Sequence, residues 1–266
     1  MSNFKRYRGE TLTLAATANI SFTQIRAVPP WANELAVHAP SATLENILLT
    51  FGSKIIKVYH YDDSLAGNEK YRDLTAELTD KNASTVGSIG SLATADFLYV
   101  GFVRRARGLA VDVGTVNNVA TTIAAAISTG KTGWITQAVT DGTDTGASLA
   151  QDALITWTVQ AGWAMAELDL GNGKQSPPAY WIRFSWDDVL KSDTTLVALM
   201  ALGNTIVDST TGTAEGIAPL LLRSNNDAAP SWKDEIPSWA GAVELTSTSI
   251  TSAANLNWYE RDGYTF

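Results

Sequence analysis

Apolar and polar residues alternate in short runs through the middle of this chain. The stretches "KIIKVYHY" (54–61), "DFLYVGFV" (96–103), "GLAVDV" (108–113), "LITWTV" (154–159), "YWIRFSW" (180–186) and "TLVALMAL" (195–202) are rich in β-branched and aromatic residues and are bounded by Gly, Asn, Asp, Ser or Pro. That is the pattern of strands closed by turns. Successive side chains of a strand point to opposite faces, so Tyr180, Ile182, Phe184 and Trp186 share one face while Trp181, Arg183 and Ser185 share the other. Likewise Ile155, Trp157 and Val159 oppose Leu154, Thr156 and Thr158. Helical periodicity is confined to "ATTIAAAIS" (120–128) and "SWDDVLKS" (185–192), segments of two or three turns, so at most two short helices are expected. Between the strands, "GSIGSLATAD", "DVGTVNN", "DGTDTGAS" and "LGNGKQSPP" concentrate the residues that reverse a chain, through positive φ or local side-chain hydrogen bonds. The expected fold is all-β: an antiparallel, jelly-roll-like β-sandwich over residues 62–206. An N-terminal arm with the first strands (1–61) and an extended C-terminal arm (207–266) are expected to flank it.

Composition refines this picture at a few points. With 266 residues, 45% of them hydrophobic, the chain can bury a substantial core. Nine tryptophans are present, and full burial of one indole is worth several kcal/mol at about 25 cal/mol per Å². That favours the core over an exposed platform for Trp157 and Trp186, with Trp163 at the end of a loop folding back over them. Trp181, beside Arg183 on the opposite face, is the one ring of this group placed to stack on a ligand. Cysteine is absent, which excludes disulfides and thiolate metal sites. A net charge of −8 argues against nucleic acid as a partner, since coating phosphates needs clustered basic residues in excess. The opening "MSNFKRYRGETLTLAATANI" has no apolar run leading to a small-residue cleavage site, and no stretch approaches a membrane span. Neither a signal peptide nor membrane insertion is expected.

The candidates for chemistry are few. His38 and His60 stand without a nucleophile or orienting partner in the sequence and read as structural. "STGKTG" (128–133) lacks the glycine a phosphate loop requires five residues earlier, where Ala125 stands. Asp141 and Asp144 in "DGTDTG" lack the alternating carboxylates and distal Glu of a calcium loop and read as an Asp-Gly turn. Asp62/Asp63 and Asp187/Asp188 are adjacent pairs, which point apart on a strand and so cannot flank a glycosidic bond; they read as solvated turn residues. No catalytic residue, metal or cofactor is expected. One basic cluster, Arg104, Arg105 and Arg107, stands against the acidic background; it suits either a subunit interface or a solvated turn. The flanks are unusually aromatic for loose tails. Within them Trp232, Trp239, Trp258, Tyr259 and Tyr264 are candidate interface anchors, because Trp and Tyr dominate interface hot spots.

The succession "FLYVGFVRRARGLAVDVGT", "VTDGTDTGASLAQDALITWTVQAGWA" and "YWIRFSW" resembles a β-sandwich domain of structural proteins from tailed bacteriophages, over about residues 70–205. The Pro usually ahead of the Gly-Trp is replaced by Gln160, and the usual upstream Tyr-Trp-Asn-Gly segment by "STGKTGWITQ". The resemblance implies a non-enzymatic virion protein on the outer surface of the particle. A capsid decoration (cement) protein gripping the major capsid protein, or a tail-associated protein gripping tail proteins, would fit, with a homo-oligomer open. The alternative is a carbohydrate-binding sandwich of a tail fibre, using Trp181.

Overall fold

The computed structural model describes residues 4–13, 24–38, 46–80, 82–131, 133–203, 220–223, 232–247 and 253–261. The chain opens with β1 (Phe4–Thr13), β2 (Ile25–Ala27), β3 (Glu34–His38) and β4 (Asn46–Ser53). The middle then supplies β5 (Ile55–Tyr61), β6 (Tyr71–Asp73), the short helix α1 (Thr75–Thr79), β7 (Gly87–Ser88), β8 (Phe97–Phe102), β9 (Gly108–Val113) and β10 (Ile123–Ser128). It continues through β11 (Trp134–Gln137), β12 (Val139–Asp141), β13 (Ala153–Trp157), β14 (Met165–Ala166), β15 (Ala179–Trp186) and β16 (Thr195–Ala201). The last described strands are β17 (Leu220–Arg223), β18 (Trp232–Glu235), β19 (Ala240–Ser247) and β20 (Ala253–Arg261).

Four antiparallel sheets result, numbered in the order in which they stack. Sheet I runs β11-β10-β15-β8-β5-β6 with β14 against β15; sheet II runs β12-β13-β9-β16-β7; sheet III runs β17-β4-β19-β2; sheet IV runs β1-β20-β3-β18. The main core lies between sheets I and II, where Val100, Phe102, Ile182, Phe184 and Trp186 meet Val111, Ile155, Trp157 and Leu199. A second core lies between sheets III and IV, where Leu49, Phe51, Val243 and Leu245 meet Leu35, Val37, Leu256 and Trp258. Between these sandwiches the outer faces of sheets II and III pack together, through Ala110, Met200 and Leu202 on one side and Ile25 and Ala242 on the other.

Small residues bring those two faces close. A Cβ on Gly52 would lie 1.8 Å from the carbonyl oxygen of Ala201, and one on Gly203 would lie 2.2 Å from a Thr50 methyl. The chain passes from one sandwich to the other at Lys54, whose N–H donates to the Trp239 carbonyl (2.7 Å) and whose carbonyl accepts from Val103 N–H (3.1 Å). The two cores are thus joined by a third, smaller apolar contact between sheets II and III.

The all-β sandwich expected from the sequence is what the structure shows, and the face assignments for 154–159 and 180–186 hold, with Trp157, Trp163 and Trp186 buried in the main core. Three expectations change. The flanks are extended, but their described parts do not lie as arms: they pair with each other to build sheets III and IV. Residues 55–61, expected to belong with the N-terminal arm, form β5 inside sheet I, so the central sandwich begins at Ile55. "ATTIAAAIS" is not helical; its Ile123–Ser128 is strand β10, paired on both sides with β11 and β15. Alanine's helical preference is a weak prior that two ladders override. The one described α-helix is α1, which lies against β5 and β16.

Candidate functional site

The residues singled out from the sequence divide by where the fold puts them. Trp181 is fully buried: residues 164–179 fold over it, and its indole N–H donates to the Ala166 carbonyl (2.9 Å). This corrects its assignment as a ligand-stacking ring, because no ring face is left open. Trp258 is also fully buried, in the second core, with its indole N–H on Glu10 Oε1 (2.5 Å); it anchors a sandwich rather than a partner. Tyr259 is half-buried between the Tyr7 ring (centroids 5.4 Å apart) and Lys233 Nζ (5.0 Å from its centroid). Trp239 is half-buried at the junction of the sandwiches, edge-on to Phe51. Trp232 lies in β18, its side chain outside the described residues, as is all of Tyr264.

The arginine cluster is used within the chain. Arg107 Nη2 donates to both carboxylate oxygens of Glu244, at 2.6 Å each, joining sheet II to sheet III. The Arg104 guanidinium lies 4.4 Å from the centre of the Trp239 ring, and that of Arg105 5.5 Å from Tyr180. Within the cluster Arg107 is thus committed to an intramolecular ion pair, while Arg104 stays exposed on the Trp239 ring and Arg105 partly exposed on Tyr180. The cluster's position follows from sequence: "RRARG" connects β8 to β9, one strand from each sheet of the central sandwich, at the end facing sheet III.

Burial pushes the Glu244 carboxyl above its ordinary 4.5, only partly offset by Arg107 beside it. Only between the ordinary value and the elevated one does the folded chain hold a proton there that the unfolded chain releases. The resulting contribution to stability is fully present below the ordinary carboxylate value and is lost as pH rises through the elevated one. Urea midpoints of the wild type and Glu244→Gln at about pH 4 and about pH 7 should show the wild type losing ground to the variant on the way to pH 7. An identical gap at both pH values would contradict the assignment.

The outer face of sheet I carries what sequence reasoning missed. Trp134, Arg183, Phe97 and Tyr61, from β11, β15, β8 and β5, line up across the sheet with Lys70 beyond them. The Arg183 guanidinium sits 4.6 Å from the Trp134 ring and 4.4 Å from Phe97, Phe97 and Tyr61 are 5.9 Å apart, and Lys70 Nζ is 5.3 Å from Tyr61. Beneath and beside them Tyr59, Tyr71, Tyr99 and Trp181 form a satellite core with Ala166 and Leu168 from the overlying segment. Burial pushes the Tyr71 and Tyr99 phenols up, so they stay protonated. At the rim Lys57 pairs with Asp73 (2.5 Å) and Lys70 with Asp63 (2.8 Å). Tyr61, Tyr71, Phe97, Trp134 and Arg183 remain partly exposed. These rings come from four segments spread over 61–134, so only the strand register brings them together. The legible signal was the outward phase of Arg183.

The remaining candidates are turn and strand residues. Asp62 accepts from Ser64 N–H and Oγ, Asp141 from Thr143 N–H and Oγ1, and Asp187 from Thr122 N–H and Oγ1. "STGKTG" turns β10 into β11, with Thr129 N–H on the Gly133 carbonyl. Burial lowers the His60 imidazole below its usual value. Among the described residues no three His, Asp or Glu side chains converge as metal ligands, and no helix is long and apolar enough to cross a membrane. A cleft of about 410 Å³ opens where the sandwiches meet, bordered by Pro29, Pro30, Lys54, Met200 and Pro237; among the described residues its one charged group is Lys54. No protein-family model and no curated protein matches the chain.

Proposed function

We propose that this chain is a non-enzymatic structural protein of a tailed-bacteriophage particle, a capsid decoration protein on the outer surface that binds neighbouring virion subunits. The observation that carries the structural role is the stack of four described sheets whose outermost face presents Trp134, Arg183, Phe97 and Tyr61 partly exposed. Trp, Tyr, Phe and Arg are the residues enriched where proteins meet. The phage assignment comes from the resemblance. In support, the segments that carry it are adjoining strands: β8 and β15 pair in sheet I, while β9, β13 and β12 are neighbours in sheet II. The net charge of −8 suits a position away from packaged DNA. The carbohydrate-binding alternative loses its named ring with Trp181 covered.

Quantitative mass spectrometry of purified particles is the direct test. A decoration protein is present in hundreds of copies, a tail-tip or fibre protein in a handful, and absence from the particle refutes the assignment. Phe97→Ala and Trp134→Ala should lower incorporation at least tenfold while leaving the protein folded, the loss of a single hot spot being worth about 1.4 kcal/mol or more.

A further inference from the structure

Sheets III and IV have an unusual composition by origin. Strands β1–β4 come from the N-terminal part of the chain and β17–β20 from the C-terminal part, and in both sheets the two sets alternate strictly: β1-β20-β3-β18 and β17-β4-β19-β2. Every described ladder of this sandwich joins one set to the other: β1 with β20, β3 with β20 and β18, β4 with β17 and β19, and β2 with β19. Among the described residues neither set forms a ladder of its own. Buried Leu35, Val37 and Leu49 on one set find their apolar partners Val243, Leu245, Leu256 and Trp258 on the other. Each set is thus an unpaired template of strand edges, and its complement is the other set.

We infer that the sandwich of sheets III and IV is an exchange module, in which the C-terminal strands of one copy complete the N-terminal strands of another to give a strand-exchanged oligomer. The occupant is a second copy of this chain, because only β17–β20 carry the register and the apolar residues that β1–β4 lack. Exchange preserves every ladder and both cores, so closed and exchanged forms differ only in connection and in association entropy. Sixteen residues, 204–219, separate the last described residue of the central sandwich from β17, a contour of at most about 55 Å. A tether of that order gives an effective concentration in the millimolar range. Closure within one chain wins in dilute solution, and exchange wins where copies are crowded. Synthesis favours it too, since β1–β4 emerge before their complement exists. Strand order alone supports the exchange, whatever particle the chain belongs to.

The absence of native cysteine makes the test clean. Thr11 and Asn255 are directly opposed on β1 and β20, with Thr11 Oγ1 2.9 Å from Asn255 Oδ1. Opposed antiparallel residues lie within disulfide range. The full-length double variant Thr11→Cys/Asn255→Cys is refolded at roughly 1 µM, far below the effective concentration of the connection, and at roughly 1 mM, where the two become comparable. It is then oxidised and run on non-reducing gels. Crosslinking within a chain leaves a compact monomer; crosslinking between exchanged chains gives twice that mass or more. Almost only crosslinked monomer at the lower concentration and a comparable share of crosslinked dimer or higher at the upper one is the expected result. Crosslinked monomer alone at both concentrations overturns the inference. Tyr7→Cys/Tyr259→Cys, opposed on the same two strands, repeats the measurement at a second site, and failure of both pairs to crosslink in any form overturns the β1–β20 register on which the inference rests.

Discussion

A chain ending at residue 224 should give no soluble, cooperatively folding protein. The deletion removes β18, β19 and β20, and with them Val243, Leu245, Leu256 and Trp258, each 1% exposed or less. At about 1.5–3 kcal/mol per large buried apolar side chain, these four alone account for roughly 6–12 kcal/mol, as much as the whole stability of an ordinary domain. The damage continues inward: without β19, Ala242 and Glu244 leave the junction, uncovering Met200 and Leu202 on sheet II and stranding Arg107. A bare apolar sheet face favours aggregation. Soluble yield, dye binding to exposed apolar surface and the urea transition are the measurements. A monodisperse truncated protein with an unchanged transition would mean that the C-terminal strands are dispensable arms after all.

The second large effect is expected at Trp163, which is fully buried and packs edge-on against Phe102, Trp157 and Tyr180, with centroids 5.9, 6.3 and 6.1 Å away. Its indole N–H donates to the Trp181 carbonyl at 2.9 Å. Trp163→Ala should cost about 3–5 kcal/mol for the cavity, with a further ~1–3 kcal/mol where the Trp181 carbonyl is left without a partner. Trp134→Ala, at the half-exposed end of the aromatic row, should cost less than half as much. Chemical denaturation of the two variants separates a ring that holds sheets together from one that faces outward, and equal losses would show that the row on sheet I is as much core as the interior.

Much of the central sandwich is legible in the residues themselves. Period-two alternation in "LITWTV" and "YWIRFSW" places Ile155, Trp157, Phe184 and Trp186 inward and Arg183 outward, and the fold agrees, because alternation follows from strand geometry whatever the neighbours are. The turns at Asp62 and Asp141 are equally local, since those side chains accept from backbone N–H groups two residues on, whereas Asp187 bonds Thr122 across the β10–β15 ladder, 65 positions away. Trp181 shows where that reasoning stops. Its outward phase is right, yet what covers it is a segment closing back from residues 164–179, and sequence periodicity carries no term for a second layer.

What the sequence determined by itself is therefore local: which residues extend, which way each side chain points, and where the chain turns. Only the tertiary structure decided which strands are neighbours. That strands from the two aromatic flanks meet each other in sheets III and IV, that Arg107 reaches Glu244 across 137 positions, and that sheets II and III pack face to face are facts of pairing and register. A strand's own residues specify a face and a propensity, whereas its partner is selected by the free energy of all the ladders and cores together.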